Sequence, residues 1–252
     1  MIGVSCTHFG SRPFEDWIGP ISKEFRHWEV FSEAEHSIIG NVPRLRGLID
    51  DAGMSCSVHA PICDWNIGAL SDRLRRASLE ETLETISASA ELGASTVTVH
   101  PGLSSMAVDG MGQQAMARAR ESLKAIDAAS RDAGVVVAIE NMPQVPFFLG
   151  RTAADLESLI DGTDLGVCFD IGHANTAGQI DDMIDIFGDR IVNVHIHDNN
   201  GKRDEHLTIG DGSIDFPRVL GRMGWYGGNW IIESKNLESA VESQSRLLKM
   251  LS

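Results

Sequence analysis

Six successive stretches of this sequence end in a side chain able to hold a metal ion or move a proton. S-V-H-A-P carries His59, V-T-V-H-P-G carries His100, and V-V-V-A-I-E-N carries Glu140. G-V-C-F-D-I-G-H ends on Asp170 and His173, I-V-N-V-H-I-H-D on His195 with His197 and Asp198 after it, and N-W-I-I-E-S on Glu233. The loop after His195 adds Asp204 and His206, spaced so that both can reach one ion, with Gly210 and Gly212 allowing the backbone to turn back over it. Any one of these residues alone reads as a loop anchor or a solvated turn. Together, imidazoles and carboxylates are costly to bury unless a divalent cation compensates them. Carboxylate plus imidazole selects zinc, manganese, magnesium or cobalt. Cys168, one step deeper than Asp170 on the same strand face, reads as core packing. His195 is the ligand candidate at its strand end, with His197 and Asp198 expected to orient it.

Each stretch is a short β-branched run, and two more such runs precede them. The eight candidate strands are Ile2–Cys6, His27–Phe31, Met54–His59, Thr96–His100, Val135–Glu140, Leu165–Asp170, Ile191–His195 and Asn229–Glu233. Helical periods lie between them. Leu79, Leu83, Ile86 and Ala90 mark one face before Gly93, and Met116, Ala119, Leu123 and Ile126 mark another before Gly134. The run Val135–Ile139 is apolar throughout, as a strand covered on both faces requires. Eight parallel β/α units in 252 residues predict a single (β/α)8 TIM barrel spanning residues 1–252. In that fold all strand ends open on one mouth, so the chemically capable residues converge there.

Composition narrows the partners. With 42% hydrophobic and 23% charged residues the chain is globular, and no apolar run approaches the roughly 18 residues a membrane span needs. The N-terminus lacks a signal-peptide pattern, and four scattered cysteines without a C-x-x-C pair read as reduced thiols, so the expected location is cytoplasmic. A net charge of −15 disfavours nucleic acid unless bound metal reverses the local field. No G-x-G-x-x-G or P-loop is present, so no nucleotide cofactor is expected.

The strings H-A-P, V-H-P-G, I-E-N, F-D-x-G-H, H-x-H-D, D-x-H-x-x-I-G-x-G-x-I-D and I-I-E-S, within residues 54–235, resemble the xylose isomerase-like TIM-barrel superfamily, which includes the endonuclease IV family of apurinic/apyrimidinic (AP) endonucleases, AP endonuclease family 2. For the sugar isomerase and epimerase branch the resemblance implies one divalent metal on Glu140, Asp170, His195 and Glu233, with the two glutamates exchanging protons with substrate. For the endonuclease IV branch it implies three zinc ions on all nine of His59, His100, Glu140, Asp170, His173, His195, Asp204, His206 and Glu233, and this sequence fills all nine positions. One departure favours the first branch: after Asn141 a Thr-Ala-Gly-Gln-Gly-like stretch is replaced by the apolar Met142-Pro143-Gln144-Val145-Pro146-Phe147-Phe148.

The expectation is therefore a metal-dependent isomerase or epimerase of a small sugar or sugar phosphate, with one to three ions. Glu140 and Glu233 act as base and acid, His173 and Asn141 contact substrate, and Lys202, Arg203 or Lys235 reach a phosphate or far hydroxyls. The alternative is a trinuclear zinc phosphodiesterase acting on abasic DNA. A structural metal site in a binding protein is a third reading, but nine donors at an open mouth exceed what a closed tetrahedral site needs. His8, Trp17, Glu29, Glu33, His36 and Trp65 lie near the first three strands without a rank, and the oligomeric state is not fixed by the sequence.

Overall fold

The computed structural model, which describes residues 1–105 and 107–251, turns all eight expected runs into strands, with limits that differ by at most one residue. They are β1 (Ile2–Ser5), β2 (His27–Phe31), β3 (Ser55–His59), β4 (Thr96–Val99), β5 (Val136–Glu140), β6 (Gly166–Asp170), β7 (Ile191–Ile196) and β8 (Trp230–Glu233). Each pairs in parallel with the next, and β8 closes on β1 from Ile2–Trp230 to Ser5–Glu233. The chain is a (β/α)8 barrel. Around it run α1 (Phe14–Glu24), α2 (Val42–Asp51), α3 (Asp72–Leu92), α4 (Gly112–Ala133), α5 (Ala153–Ile160), α6 (Ile171–Ala177), α7 (Ile180–Phe187), α8 (Phe216–Arg222) and α9 (Leu237–Leu251). No helix among the described residues is long and apolar enough to cross a membrane.

The period of two along each strand sorts the core into two layers. Val97, Val99, Val137, Ile139, Val167, Phe169, Val194 and Ile196, all at most 1% exposed, lie in the hydrophobic core between strands and helices. The alternate positions face the barrel axis, and several are polar: Glu29, Ser57, Thr98 and Asn193 are fully buried. Hydrogen bonds from Asn193 on β7 to Thr98 on β4 and Glu29 on β2 cross the interior, which such barrels usually fill with branched aliphatic side chains.

Two details depart from the sequence reading. On α3 the buried face is Ser78, Thr82, Thr85, Ile86, Ser89 and Leu92, while Leu79, Leu83 and Ala90 are only partly covered. Small hydroxyl residues let the helix sit close to its neighbours, and each bonds back to the carbonyl four residues earlier, as Ser89 Oγ does to Thr85 at 2.7 Å, so none is left unsatisfied. Trp65 donates from Nε1 to Thr82 at 2.9 Å and is part of this packing. In β5, Val136 is 45% exposed, because it stands at the strand's entry end rather than between the covering helices. Gly93 and Gly134 end α3 and α4 in the left-handed region, at φ 83° and 69°.

Candidate metal centre

Glu140, at the end of β5, is the hub. Its Oε1 lies 2.8 Å from His195 Nδ1, and its Oε2 lies 2.9 Å from His100 Nε2 and 3.3 Å from His59 Nε2. His195 Nδ1 is also 3.2 Å from Glu233 Oε1 and 3.9 Å from Asp170 Oδ2. Donor atoms of Glu140, Asp170, His195 and Glu233 therefore all fall within 4.8 Å of one another, as do those of His59, His100 and Glu140. A third set, His173, His197, Asp204 and His206, meets the same limit. Among the described residues these three donor groups, the first two sharing Glu140, take up all nine expected residues and add His197.

The local backbone explains the aim of each side chain. Asp170 ends β6 and caps α6, accepting from the His173 backbone N–H at 2.6 Å, which turns His173 inward one helical turn later. Asp204 and His206 sit on a loop tied down by Asp198, whose carboxylate accepts backbone N–H groups of Asn199, Gly210 and Gly212 at 2.9 Å. A Cβ on Gly212 would approach Asp198 Oδ1 to 2.3 Å, so the glycine is needed for this close return. His206 itself adopts φ 45°, a left-handed conformation that directs its ring back toward Asp204, 2.9 Å away.

Electrostatics match a cation-binding cavity. Burial opposes charge on Glu140, Asp170 and Asp204, yet the surrounding imidazoles outweigh it and hold all three carboxyls below their usual range. Burial likewise opposes charge on His195, His173 and His197, and the carboxylates prevail, raising all three, His197 to about 9. His59 is raised on the same balance, whereas burial wins at His100 and lowers it. Asp170 Oδ2 and Asp204 Oδ1 are buried without a hydrogen-bond partner. Buried carboxylate oxygens in that condition, converging with imidazoles, fit a divalent ion. Cys168 lies beside Glu140 and His195, and burial pushes its thiol up.

A cavity of about 260 Å³ opens over these groups. His59, His100, Glu140, His173, Asp204, His206 and Glu233 line its floor, the small polar residues Ser5, Thr7 and Ser234 one part of the wall, and Met142, Pro143, Val145 and Phe148 another.

A family model described as a xylose isomerase-like TIM barrel matches residues 22–251. The chain belongs to the xylose isomerase-like TIM-barrel family. An uncharacterised protein of Methanocaldococcus jannaschii is 35% identical over 236 residues, or 90% of this chain and 80% of that one. A probable endonuclease 4 of Mycobacterium leprae is 33% identical over 188 residues, 70% of this chain and 71% of that one. A solved structure described as a D-tagatose 3-epimerase-like protein superposes with a TM-score of 0.91 at 32% identity, over 99% of this chain and 96% of that one. Members of the xylose isomerase-like family thus include both epimerase-like and endonuclease IV proteins.

Within this xylose isomerase-like barrel several expected contacts fall elsewhere. Asn141 does not line the cavity; its amide pairs with the Asp170 backbone, accepting from N–H at 2.8 Å and donating to C=O at 2.9 Å, and its own carbonyl lies 2.8 Å from His173 Nδ1. It extends β5 against β6 and fixes two site residues. Lys202, Arg203 and Lys235 are exposed, and none lines the cavity. His197 and Asp198 do not orient His195. His197 instead lies between Asp170 Oδ1 and Asp204 Oδ1, at 3.3 and 3.4 Å, and stacks on His206 with ring centroids 4.1 Å apart. The far nitrogen of His195 faces Glu29, 2.7 Å away. In the sequence that residue stood unranked beside Glu33 and His36 around the second strand, and its pairing across the barrel joins residues 166 positions apart.

The other unranked residues serve packing. Glu33 accepts from the backbone N–H groups of Ile62 and Cys63 at 2.6 and 2.7 Å, His36 is buried and stacks on Phe14 at 4.5 Å, and Trp17 packs on Phe9 at 4.4 Å with the exposed His8 at its edge.

Gly172 offers a direct check of the His197 contact. A Cβ there would lie 2.0 Å from His197 Cε1, and the ring cannot retreat because it is stacked on His206. Gly172→Ala is expected to cost about 1 to 3 kcal/mol of stability, read as a lowered denaturant midpoint. An unchanged midpoint would show that the ring has room to move.

Proposed function

We propose that this protein is a divalent-metal-dependent isomerase or epimerase of a small, unphosphorylated sugar. The observation that carries the reading is the placement of Glu140 and Glu233, from strands three apart around the barrel, on one donor set with Asp170 and His195 at the floor of a sugar-sized cavity. A resident divalent metal held by those four residues would supply Lewis-acid polarisation of the substrate carbonyl. One glutamate takes the proton from the carbon beside the carbonyl, and the other delivers a proton to the opposite face or to the neighbouring carbon. Burial at the barrel floor keeps bulk water from competing for those protons. His173 offers a hydrogen bond to a substrate hydroxyl, and Ser5, Thr7 and Ser234 offer others. Among the described residues no lysine or arginine lines the cavity, and the chain carries a net charge of −15, so a phosphate dianion would be desolvated without a cationic side chain there. Unpaired cysteines at positions 6, 56, 63 and 168 fit a reducing compartment such as the cytoplasm.

A second reading has its own support: His59, His100 and Glu140 on one side, and His173, Asp204 and His206 on the other, provide donors for two further ions. Three zincs and an abasic-DNA substrate would then replace the sugar. One experiment separates the two. Protein purified without chelator is assayed for metal per chain and for deuterium uptake from heavy water into unphosphorylated ketoses. Exchange at the carbon beside the carbonyl, faster than with the matching sugar phosphates, supports the proposal. No exchange, together with three zincs per chain and cleavage of an abasic duplex, overturns it.

A further inference from the structure

Below the donor set, Glu29 is a fully buried carboxylate in the barrel interior with every oxygen engaged. Its Oε1 lies 2.7 Å from His195 Nε2, and its Oε2 accepts from Ser57 Oγ and Asn193 Nδ2, both at 2.8 Å. The anchors are themselves held. Asn193 also reaches Thr98 at 3.1 Å, and Ser57 Oγ, whose O–H donates to Glu29, accepts from His27 Nε2 at 3.0 Å. His27 Nδ1 then faces the Ser55 hydroxyl at 2.9 Å, so a polar ladder runs from the donor set toward the opposite end of the barrel. Charged groups are rarely kept in a barrel core, and aliphatic packing there would cost no desolvation. A retained carboxylate with three aligned partners needs a role.

We propose that Glu29 is the positioning residue that selects the metal-binding nitrogen of His195. By accepting a hydrogen bond from Nε2–H it keeps that proton on Nε2 and leaves the Nδ1 lone pair as the ring's metal donor, and Nδ1 is the atom that faces Glu140, Glu233 and Asp170. The negative charge behind the ring also strengthens the ring as a ligand. Ser57 and Asn193 hold Glu29 in line, so the ring cannot rotate to offer Nε2 instead. The inference rests on the metal-dependent reading above.

The test is a cobalt(II) titration of the metal-free protein, followed by its d–d absorption, for the wild type, Glu29→Gln and Ser57→Ala. Glu29→Gln keeps the size of the side chain but removes the charge, and is expected to weaken cobalt about 10- to 100-fold and to alter the spectrum. Ser57→Ala leaves the carboxylate but loosens its hold, and about a threefold loss or more is expected on the same ground. If Glu29→Gln does not fold, the Ser57→Ala titration decides. Wild-type affinity and spectrum in the variants that fold would overturn the role of Glu29. Absence of any cobalt spectrum in the wild type would instead overturn the metal-dependent reading itself.

Discussion

Glu140→Gln is expected to remove both metal retention and turnover. Glu140 faces His59, His100 and His195 at 3.3, 2.9 and 2.8 Å, and links the His59–His100 group to the group formed with Asp170, His195 and Glu233. The amide keeps the shape but cannot offer two anionic oxygens, and its NH₂ would point a donor at one of the rings. In the proposed proton transfer its loss should lower turnover about 10²- to 10⁴-fold, before counting the metal. Glu233→Gln touches fewer partners, being 3.2 Å from His195 and 3.7 Å from His206, so it should retain more metal while losing comparable turnover. Elemental analysis alongside the exchange assay checks both. Full metal content with full activity in Glu140→Gln would sink the assignment of the hub.

Removing metal should make the protein's stability fall as pH rises, the reverse of what its many depressed carboxyls alone would give. The sign follows from the imidazoles. His195, His173 and His197 have folded pKa values above the ordinary 6.5, so their contribution is complete below pH 6.5 and is lost as pH rises through the folded values, which for His197 is about 9. For His197 alone the shift corresponds to about 3 kcal/mol, or roughly 6 to 12 °C in melting temperature for a chain of this size. Glu140, Asp170 and Asp204 work in the other direction at lower pH: their folded values are depressed, so their contribution holds above about pH 4 and is lost in acid. A bound dication replaces those protons, and its affinity grows as the imidazoles deprotonate. Melting curves with chelator and with saturating metal, at pH 6, 7.5 and 9, should therefore diverge, the gap widening toward pH 9. A constant or shrinking gap would show that metal does not occupy the imidazole cluster.

Sequence reading located the strands because each is a short β-branched run bounded by turns, and parallel strands buried on both faces leave that signature in one dimension. Strand ends were legible for the same reason: in a barrel of parallel strands, sequence position at the end of a run and spatial position at the mouth are the same fact. His59, His100, Glu140, Asp170, His195 and Glu233 needed no more than that.

What lies one layer deeper was not legible. The α3 face carries little hydrophobic signal because most of its buried residues are hydroxyls satisfied within their own helix. Asn141, expected to contact substrate, braces Asp170 and His173, because its amide matches the backbone pattern of the neighbouring strand. Glu29 was one acidic residue among several near the second strand, and nothing in H-W-E-V-F tells whether it points into the barrel beside His195 or out toward solvent. By itself the sequence determined which residues stand at the barrel mouth, because strand periodicity is local. Only the tertiary structure decided which of them bring their donor atoms together and which residue meets His195 from below, because those contacts join strands far apart in the chain and depend on barrel closure.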